Sequence, residues 1–354
     1  MKRVTITDIA KSLGVHHSTV SRAMRNDRRI PVATREKVRA AMEELGYQPD
    51  PMLSALVAYR SEKRKQIYRA TLAWVTNYPT RDGWKEFQNV DYFRGASRRA
   101  AELGYMIEHF WLHEPGMTQR RATQILTSRN VQGLLFIPQP RSLSHLRLDW
   151  EKFSAVRFGR TLSKPWLHNV DSDHFVSMSI LMRQIKKLGY VRPGFVSFRR
   201  VHESNHRAWT AAYWAFQSRA PQEQIPVFIR PAPLDKQELQ AWYLKYRPDV
   251  IVTHSDAIVS WLAEMGVRVP EDVGVVVGAK HGEIPAHYSG INENNEYVGE
   301  TAVNFLVQMI NRGETGIPQI PISTLVEGTW VAGETVRPVN RPRRTKRSTR
   351  RIVR

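Results

Sequence analysis

The chain has 354 residues, of which 42% are apolar and 24% charged, and it contains no cysteine. This length predicts two or three domains with a sizeable core. The lack of cysteine excludes disulfides and thiolate metal sites, and it suits a reducing cytosol. There is no apolar run as long as a membrane span and no signal-peptide core, so the sequence predicts a cytoplasmic protein with no membrane partner.

The formal net charge of +20 is concentrated at the two ends of the chain. Residues 1–66 hold 14 Lys/Arg against 7 Asp/Glu, and residues 337–354 hold 9 Lys/Arg and no acid. Charge that served only solubility would spread more evenly along the sequence. The distribution therefore predicts that the ends, rather than the middle, bind a polyanion.

Residues 4–47 predict three short helices. Thr5 and Asp8 have the spacing of a capping box before an apolar-periodic run, and Gly14 ends that helix. A second helix is predicted from about His17 to Arg25, and a third begins at Pro31 and ends at Gly46. Two short helices across a glycine-containing turn predict a helix-turn-helix, whose second helix enters the major groove of DNA.

The alternative is an ordinary three-helix piece of protein core. The polar face of the second helix argues against it, because His17, Ser18, Ser21 and Arg22 are followed by further arginines. Arginine can read guanine through two hydrogen bonds, and serine can meet either bases or phosphates.

The run VTITDIAKSLGVHHSTVSRAMRN resembles the DNA-binding end of the LacI/GalR family of bacterial transcriptional regulators. The family pattern is matched at Asp8, Ile9, Ala10, Gly14, Val15, Thr19, Val20, Ser21 and Arg22. The resemblance implies double-stranded DNA with a palindromic operator as the partner, and a homodimer. The implied base readers are His17, Ser18 and Arg22, and the implied phosphate-positioning residues are Thr5, Thr19, Ser21, Asn26 and Tyr47.

Two residues of the head depart from the family pattern, and both bear on which operator sequence is bound. His16 stands where the family usually has a small capping residue, and Pro31 stands where it often has serine. His16 is a poorer cap for the second helix, and it could add a pH-dependent phosphate contact instead. The operator sequence therefore cannot be copied from a relative.

Residues 48–60 predict a short hinge helix after Pro49 and Pro51, which is too brief to be stable alone in water. By resemblance, two hinge helices pair on DNA, and Leu56 wedges into the minor groove and kinks the duplex. The alternative for Leu56 is plain packing of the linker.

Residues 61–336 predict a two-lobed core, because strand and helix patterns alternate twice over similar plans. Such alternation is typical of doubly wound parallel sheets, and ligands favour the cleft outside the carboxyl ends of their strands. Residues 141–152 are interpreted as a further helix. The fold class is thus an all-α helix-turn-helix head with a hinge helix, followed by a two-lobed α/β core. The family resemblance makes the lobes periplasmic-binding-protein-like, with three crossings near 165–172, 289–293 and 320–328.

Five residues are the candidates for binding a small-molecule effector, which the resemblance implies is a sugar or sugar derivative. Arg207 is the candidate arginine, which pairs with sugar hydroxyls if it is not merely a surface charge. Ser255 and Asp256 stand where the family has Asn-Asp. Lys280 replaces a usual aspartate, which hints at an acidic ligand such as a uronate or phosphosugar. Trp84 either stacks on a sugar face or plugs the cleft.

The tail 337–354 has no apolar period, so the sequence predicts a disordered segment with a nonspecific grip on DNA. Two other functions are alternatives to a homodimeric, effector-controlled repressor. A ligand sensor without a regulatory role does not explain the DNA-binding head. An enzyme is disfavoured because the chain has no phosphate-loop, nucleophile-elbow, dinucleotide or zinc-protease motif. The sequence predicts no metal and no cofactor.

Overall fold

The structure is a computed structural model, and it describes residues 4–24, 29–47, 70–85, 88–141, 144–217, 224–280 and 286–339. The predicted hinge helix with Leu56, the phosphate contact Asn26 and the tail beyond Val339 lie outside these residues.

The head consists of three helices around a small apolar core. Thr5 caps the first helix through a complete capping box with Asp8, and Gly14 ends it in the left-handed conformation at φ 64°. The side chains at the centre of the head belong to all three helices and include Ile9, Val20 and Val38, each fully buried. The helices are α1 (Ile6–Leu13), α2 (His17–Met24) and α3 (Val32–Glu44).

The first lobe is a six-stranded sheet with its strands in the order β13-β7-β5-β3-β1-β2, all parallel. Its strands are β1 (Ala70–Thr76), β2 (Tyr105–Trp111), β3 (Gly133–Phe136), β5 (Ser154–Phe158), β7 (His168–Ser172) and β13 (Ser323–Val326). Its helices are α4 (Asn89–Glu102) and α5 (Gln119–Ser128). Apolar residues cover both faces of the sheet, as a parallel sheet between helix layers requires.

The second lobe repeats this plan with the order β14-β12-β11-β10-β8-β9, in which only β14 is antiparallel to its neighbour. Its strands are β8 (Pro193–Phe198), β9 (Phe228–Arg230), β10 (Val250–Thr253), β11 (Gly274–Lys280), β12 (Ser289–Asn292) and β14 (Thr329–Val331). Its helices are α6 (His174–Lys187), α7 (Arg199–Ser204), α8 (Ala208–Gln217), α9 (Lys236–Tyr246) and α10 (Ala257–Glu264).

The chain crosses between the lobes three times. It leaves the first sheet after Ser172, returns after Asn292 into helix α11 (Asn295–Arg312), and crosses again between Val326 and Thr329. The three predicted crossings are therefore confirmed, and so is the two-lobed α/β fold.

Helices α4 and α11 meet backbone to backbone in the first lobe. A Cβ added at Gly95 would lie 1.9 Å from the Glu296 carbonyl oxygen, and one at Gly299 would lie 2.1 Å from the Tyr92 carbonyl oxygen. Arg94 and Arg98 then pair with Glu296 across the same crossing. Glycine is required here by the close approach of the two helices, which fixes the start of α11 against the body of α4.

The predicted helix over 141–152 is wrong. The described residues there form a two-residue strand β4 (Ser144–His145), which pairs with β6 (Leu162–Lys164), and a 3-10 turn at Trp150–Lys152. Leu146, Leu148 and Trp150 pack on the sheet, so their alternation follows an extended segment laid across the lobe rather than a helix.

Candidate functional sites: the head and the cavity between the lobes

Helix α2 presents a polar surface opposite the core of the head. Val20 and Ala23 face inward, whereas His17 and Arg22 are exposed and Ser18, Thr19 and Ser21 are half-buried. An α-helix with its side chains is about 10–12 Å across, which fits the major groove of about 12 Å. The predicted base readers therefore lie together on a surface that a duplex can approach.

His16 occupies the position before α2. Its Nδ1 atom lies 2.8 Å from Ser18 Oγ and 3.4 Å from the Ser18 amide nitrogen, so the imidazole meets one of the unpaired amides at the start of the helix. Thr5 is committed to the capping box, and Tyr47 is half-buried against the head core.

The second site is a cavity of about 280 Å³ between the two lobes. Its walls come from the carboxyl ends of the parallel strands of both sheets, because each strand is followed there by a residue that lines the cavity. Six lining residues lie at or just after the ends of these strands. In the first lobe they are Gln139 after β3, Gly159 after β5 and Asp171 in β7, and in the second lobe they are Phe198 in β8, Ala279 in β11 and Glu293 after β12.

A buried histidine lies between two carboxylates in this cavity. His174 Nδ1 donates to Glu293 Oε1 at 2.7 Å, and His174 Nε2 lies 3.6 Å from Asp171 Oδ1. Burial alone opposes protonation of the imidazole, but Glu293 and Asp171 outweigh it and raise the pKa of His174 to about 10. The imidazolium is therefore charged at neutral pH and holds both carboxylates in place. Since these side chains are at most 10% exposed, they form a preorganised acceptor set for hydroxyl groups.

The cavity wall also holds an indole and an amide that each lack one partner, and the indole ring of Trp209 lies beside His174 with the ring centroids 6.0 Å apart. Trp209 is 3% exposed, and its Nε1–H has no acceptor among the described residues. Gln139 donates through Nε2 to the Ile137 carbonyl oxygen, while its Oε1 has no donor in the same part of the chain. Buried polar groups are rarely left unpaired, so a ligand or water that offers an acceptor and a donor fits this wall.

Two arginines, one from each lobe, complete the lining. Arg160 follows β5 and donates to Ser323 Oγ at 3.3 Å, and Arg200 is exposed on α7. Arg157 lies nearby at 5% exposure and donates to the Leu162 carbonyl oxygen. Burial and then the charge of Arg160 lower the pKa of Arg157 to about 10, so it remains a cation at neutral pH.

The structure does not place the described effector candidates in this lining. Arg207 is exposed in the turn between α7 and α8 at φ 63°, and Asp256 is exposed before α10. Ser255 is buried, with its amide bonded to Thr253 Oγ1 at 2.9 Å. Lys280 ends β11, and its side chain is outside the described part.

The predicted stacking role of Trp84 is also corrected. The ring is 4% exposed in the core of the first lobe, with its centroid 5.8 Å from that of Trp74 and 5.2 Å from that of Phe93. Packing by neighbouring aromatic rings therefore explains it. The family resemblance implied Ser255 and Lys280 as effector-binding residues. The residues that line the cavity are instead their preceding neighbours in the sequence, His254 and Ala279.

Two family comparisons match separate parts of the chain. Residues 5–50 match the lacI family of bacterial regulatory proteins, and residues 182–336 match the periplasmic binding protein-like domain. The HTH-type transcriptional regulator MalR of Streptococcus pneumoniae is 29% identical over 176 residues, which cover 48% of this chain and 50% of MalR. The match thus spans about half the length of that relative.

Two further likenesses cover nearly the whole chain. The HTH-type transcriptional regulator KdgR of Bacillus subtilis is 24% identical over 336 residues, which cover 89% of this chain and 93% of KdgR. The crystal structure of the lac repressor dimer bound to operator and the anti-inducer ONPF shares the fold, with a TM-score of 0.53 and 20% identity, over 94% of this chain and 99% of that one.

The chain thus joins a three-helix head to two α/β lobes with a cavity between them. The chain belongs to the LacI family of bacterial regulatory proteins. Proteins of this family regulate transcription and are not enzymes.

Among the described residues, no helix is both long enough and apolar enough to cross a bilayer. The same residues contain no group of three or more histidine and acidic side chains that could hold a metal ion.

Proposed function

We propose that this protein is a homodimeric repressor that binds a palindromic operator through its heads, and that a small molecule in the interlobe cavity controls its operator affinity. The observation that carries the proposal is the cavity itself, since its walls come from both lobes. A ligand that contacts both lobes favours one degree of closure over another. Operator affinity then changes by a coupling free energy of about 1–3 kcal/mol.

The lining supports a sugar or sugar derivative as the effector. Asp171 and Glu293 offer acceptors, Trp209 offers a buried donor, and its ring offers an apolar face. Convergent hydroxyl groups on a ring satisfy all three. Arg160 and Arg200 favour a ligand with a carboxylate or phosphate, which agrees with the acidic ligand inferred from Lys280.

On the DNA side, His17, Ser18 and Arg22 are proposed as base readers. His16, Thr19 and Ser21 are proposed at the phosphates with Thr5 and Tyr47. Asn26 and the wedge Leu56 are proposed from the family resemblance alone. The protein then works in the cytoplasm, on nucleoid DNA.

Two measurements test this function. Selection of bound duplexes from random-sequence DNA is expected to return a palindrome, which reports a dimer with two equivalent heads. Calorimetry with matched pairs of neutral sugars and their uronates or phosphates is then expected to give binding by an acidic member, and saturation with it is expected to change operator affinity about 5–150-fold. If only neutral sugars bind, the proposal of an acidic ligand is wrong. If the selection enriches no DNA sequence, the proposal of a sequence-specific regulator is wrong.

A further inference from the structure

A groove of about 860 Å³ runs beside the crossings between the lobes, and it is separate from the cavity. We call it the crossing groove. Glu293 lines the cavity, whereas its neighbours Asn292 and Asn294 line the groove. Successive side chains of an extended segment point to opposite sides, so the second crossing forms a partition with the cavity on one side and the groove on the other.

Both lobes contribute to the walls of the crossing groove. Asp91 and Arg98 of α4 belong to the first lobe, and Val331 of β14 belongs to the second. Val326 and Glu327 of the third crossing line the groove as well. Pockets of about 300–1,000 Å³ are the usual size for small organic ligands. A molecule in this groove therefore contacts both lobes, as a molecule in the cavity does.

The charge on the walls of the groove is mainly negative, since the lining residues include three carboxylates and one guanidinium. That guanidinium is already paired, because Arg98 Nη1 lies 2.7 Å from Glu296 Oε2. Asp91 Oδ1 likewise lies 3.2 Å from Arg94 Nη1. The Glu327 side chain is exposed, and no basic nitrogen of the described residues lies within 4.0 Å of its carboxylate. One carboxylate of the groove is thus left for a ligand.

The groove also offers an aromatic ring, two aliphatic side chains and a buried acceptor. Tyr297 is 64% exposed, and Val326 and Val331 are half-buried. Asn295 lines the same groove at 5% exposure, and its Oδ1 atom has no donor in the described part of the chain. Buried amide oxygens are rarely left without a donor. A ligand that brings N–H groups and an apolar body therefore complements these walls.

Helix α11 begins at this groove, and the amino end of a helix favours an anion. The protein itself supplies that anion, because Glu296 lies in the first turn of α11. Its carboxylate is held by Arg94 at 2.9 Å and by Arg98 at 2.7 Å. The partial charge of the helix end is therefore offset within the chain, and Glu327 is the charge that a ligand meets.

We propose that the crossing groove binds a small organic cation, which carries an ammonium or guanidinium group on an apolar body. Glu327 supplies the opposite charge, and the exposed ring of Tyr297 supplies a face for the cation. Asn295 supplies an acceptor for an N–H group, and the two valines cover the apolar body. The inference is independent of the proposed function, since it involves neither DNA nor the effector in the cavity.

Calorimetry with the full chain tests the charge of the ligand through three probes of similar size. Phenethylamine is a cation, phenethyl alcohol is neutral, and phenylacetate is an anion. Variants then locate the site: E327Q removes the carboxylate, Y297A removes the ring, and Y297F keeps the ring. The matched control E271Q removes an exposed carboxylate that precedes β11 and does not line the groove.

We expect phenethylamine to bind at least about tenfold more tightly than the other two probes, because an ion pair and a cation–π contact act together. E327Q and Y297A should each weaken its binding about two- to fivefold. Y297F and E271Q should bind it as the natural chain does. Because Glu327 and Tyr297 are exposed, the melting temperature of these variants should not change, which separates lost binding from lost folding.

Three results would overturn the proposal. Tighter binding of phenylacetate than of phenethylamine would mean that the amino end of α11, and not Glu327, selects the ligand. Equal binding of phenethylamine by E327Q, Y297A and the natural chain would place the amine elsewhere, for example at the carboxylates of the cavity. Failure of the natural chain to bind phenethylamine would mean that the groove holds only water.

Discussion

The helix-turn-helix head and the interlobe cavity both present polar side chains to a ligand, but different forces hold those side chains in place. On the head, exposed residues such as His17 and Arg22 project from α2, and the apolar side of the helix fixes their positions. In the cavity, His174, Asp171 and Glu293 are buried and hold one another. Substitutions of the exposed residues of α2 should therefore change binding alone, whereas substitutions within the His174 network should change folding as well.

The largest effect is expected at the buried histidine. H174Q leaves Asp171 and Glu293 buried without their cation, and removing one partner of a buried charge network costs about 3–5 kcal/mol. Chemical denaturation should show this loss in the free energy of unfolding of the lobes. The exposed His145 provides the control, since H145Q should change that free energy by less than about 0.5 kcal/mol. Equal stability of H174Q and the natural chain would contradict the structural role of the network.

The same histidine makes stability depend on pH. Its pKa is raised in the folded protein to about 10 from the ordinary value of 6.5, so folding takes up a proton between these values. The contribution of His174 is complete below about pH 6.5 and is lost as pH rises towards 10. The difference in melting temperature between the natural chain and H174Q should accordingly shrink as pH rises over this range. A difference that grows with pH would contradict the raised pKa of His174.

An intermediate effect is expected on the head. R22Q should weaken operator binding by about 1–3 kcal/mol and relax specificity at one base position. The melting temperature of the protein should not move, because the Arg22 side chain is exposed. K37Q on α3 removes the same charge from another exposed position and is expected to cost less affinity. If R22Q and K37Q weaken binding equally on operator and random DNA, Arg22 contacts phosphate and does not read a base.

A smaller effect is expected at the start of α1. T5A removes the hydroxyl of the capping box and should cost about 1 kcal/mol of helix stability. Amide hydrogen exchange in residues 6–13 should rise, while exchange in the lobes should not. Unchanged exchange would mean that packing of Ile9 alone determines the stability of α1.

The smallest effect on stability should occur at the cavity wall. W209F keeps the ring but removes the Nε1–H, which has no acceptor among the described residues, so the free energy of unfolding should not fall. Effector binding should weaken by about 0.5–1.5 kcal/mol if the ligand accepts this hydrogen bond. Calorimetry with the ligand found in the sugar panel measures the change. Unchanged affinity would show that Trp209 donates no hydrogen bond to the ligand.

Several parts of the fold follow from local signals in the sequence. Thr5, Asp8 and Gly14 place α1 because a cap and a left-handed glycine act on their immediate neighbours. The alternation of strand and helix patterns over residues 61–336 predicts both sheets, because a strand buried in a parallel sheet is a short apolar run in the sequence. Residues 141–152 were misassigned because they lie on a sheet whose surface comes from other parts of the chain.

The sequence by itself determined the three helices of the head and the alternation that makes two lobes, because these depend on signals close along the chain. Tertiary structure alone decided which polar residues meet in the cavity. Gln139, Asp171 and Glu293 are far apart in sequence, and parallel topology brings them together at the carboxyl ends of the strands, where Trp209 of α8 also lines the cavity. The strand-end rule accounts for the first three residues but not for Trp209, which lies on a helix. The burial of Trp84 could not be predicted, since it depends on rings from β1 and α4 that pack around it.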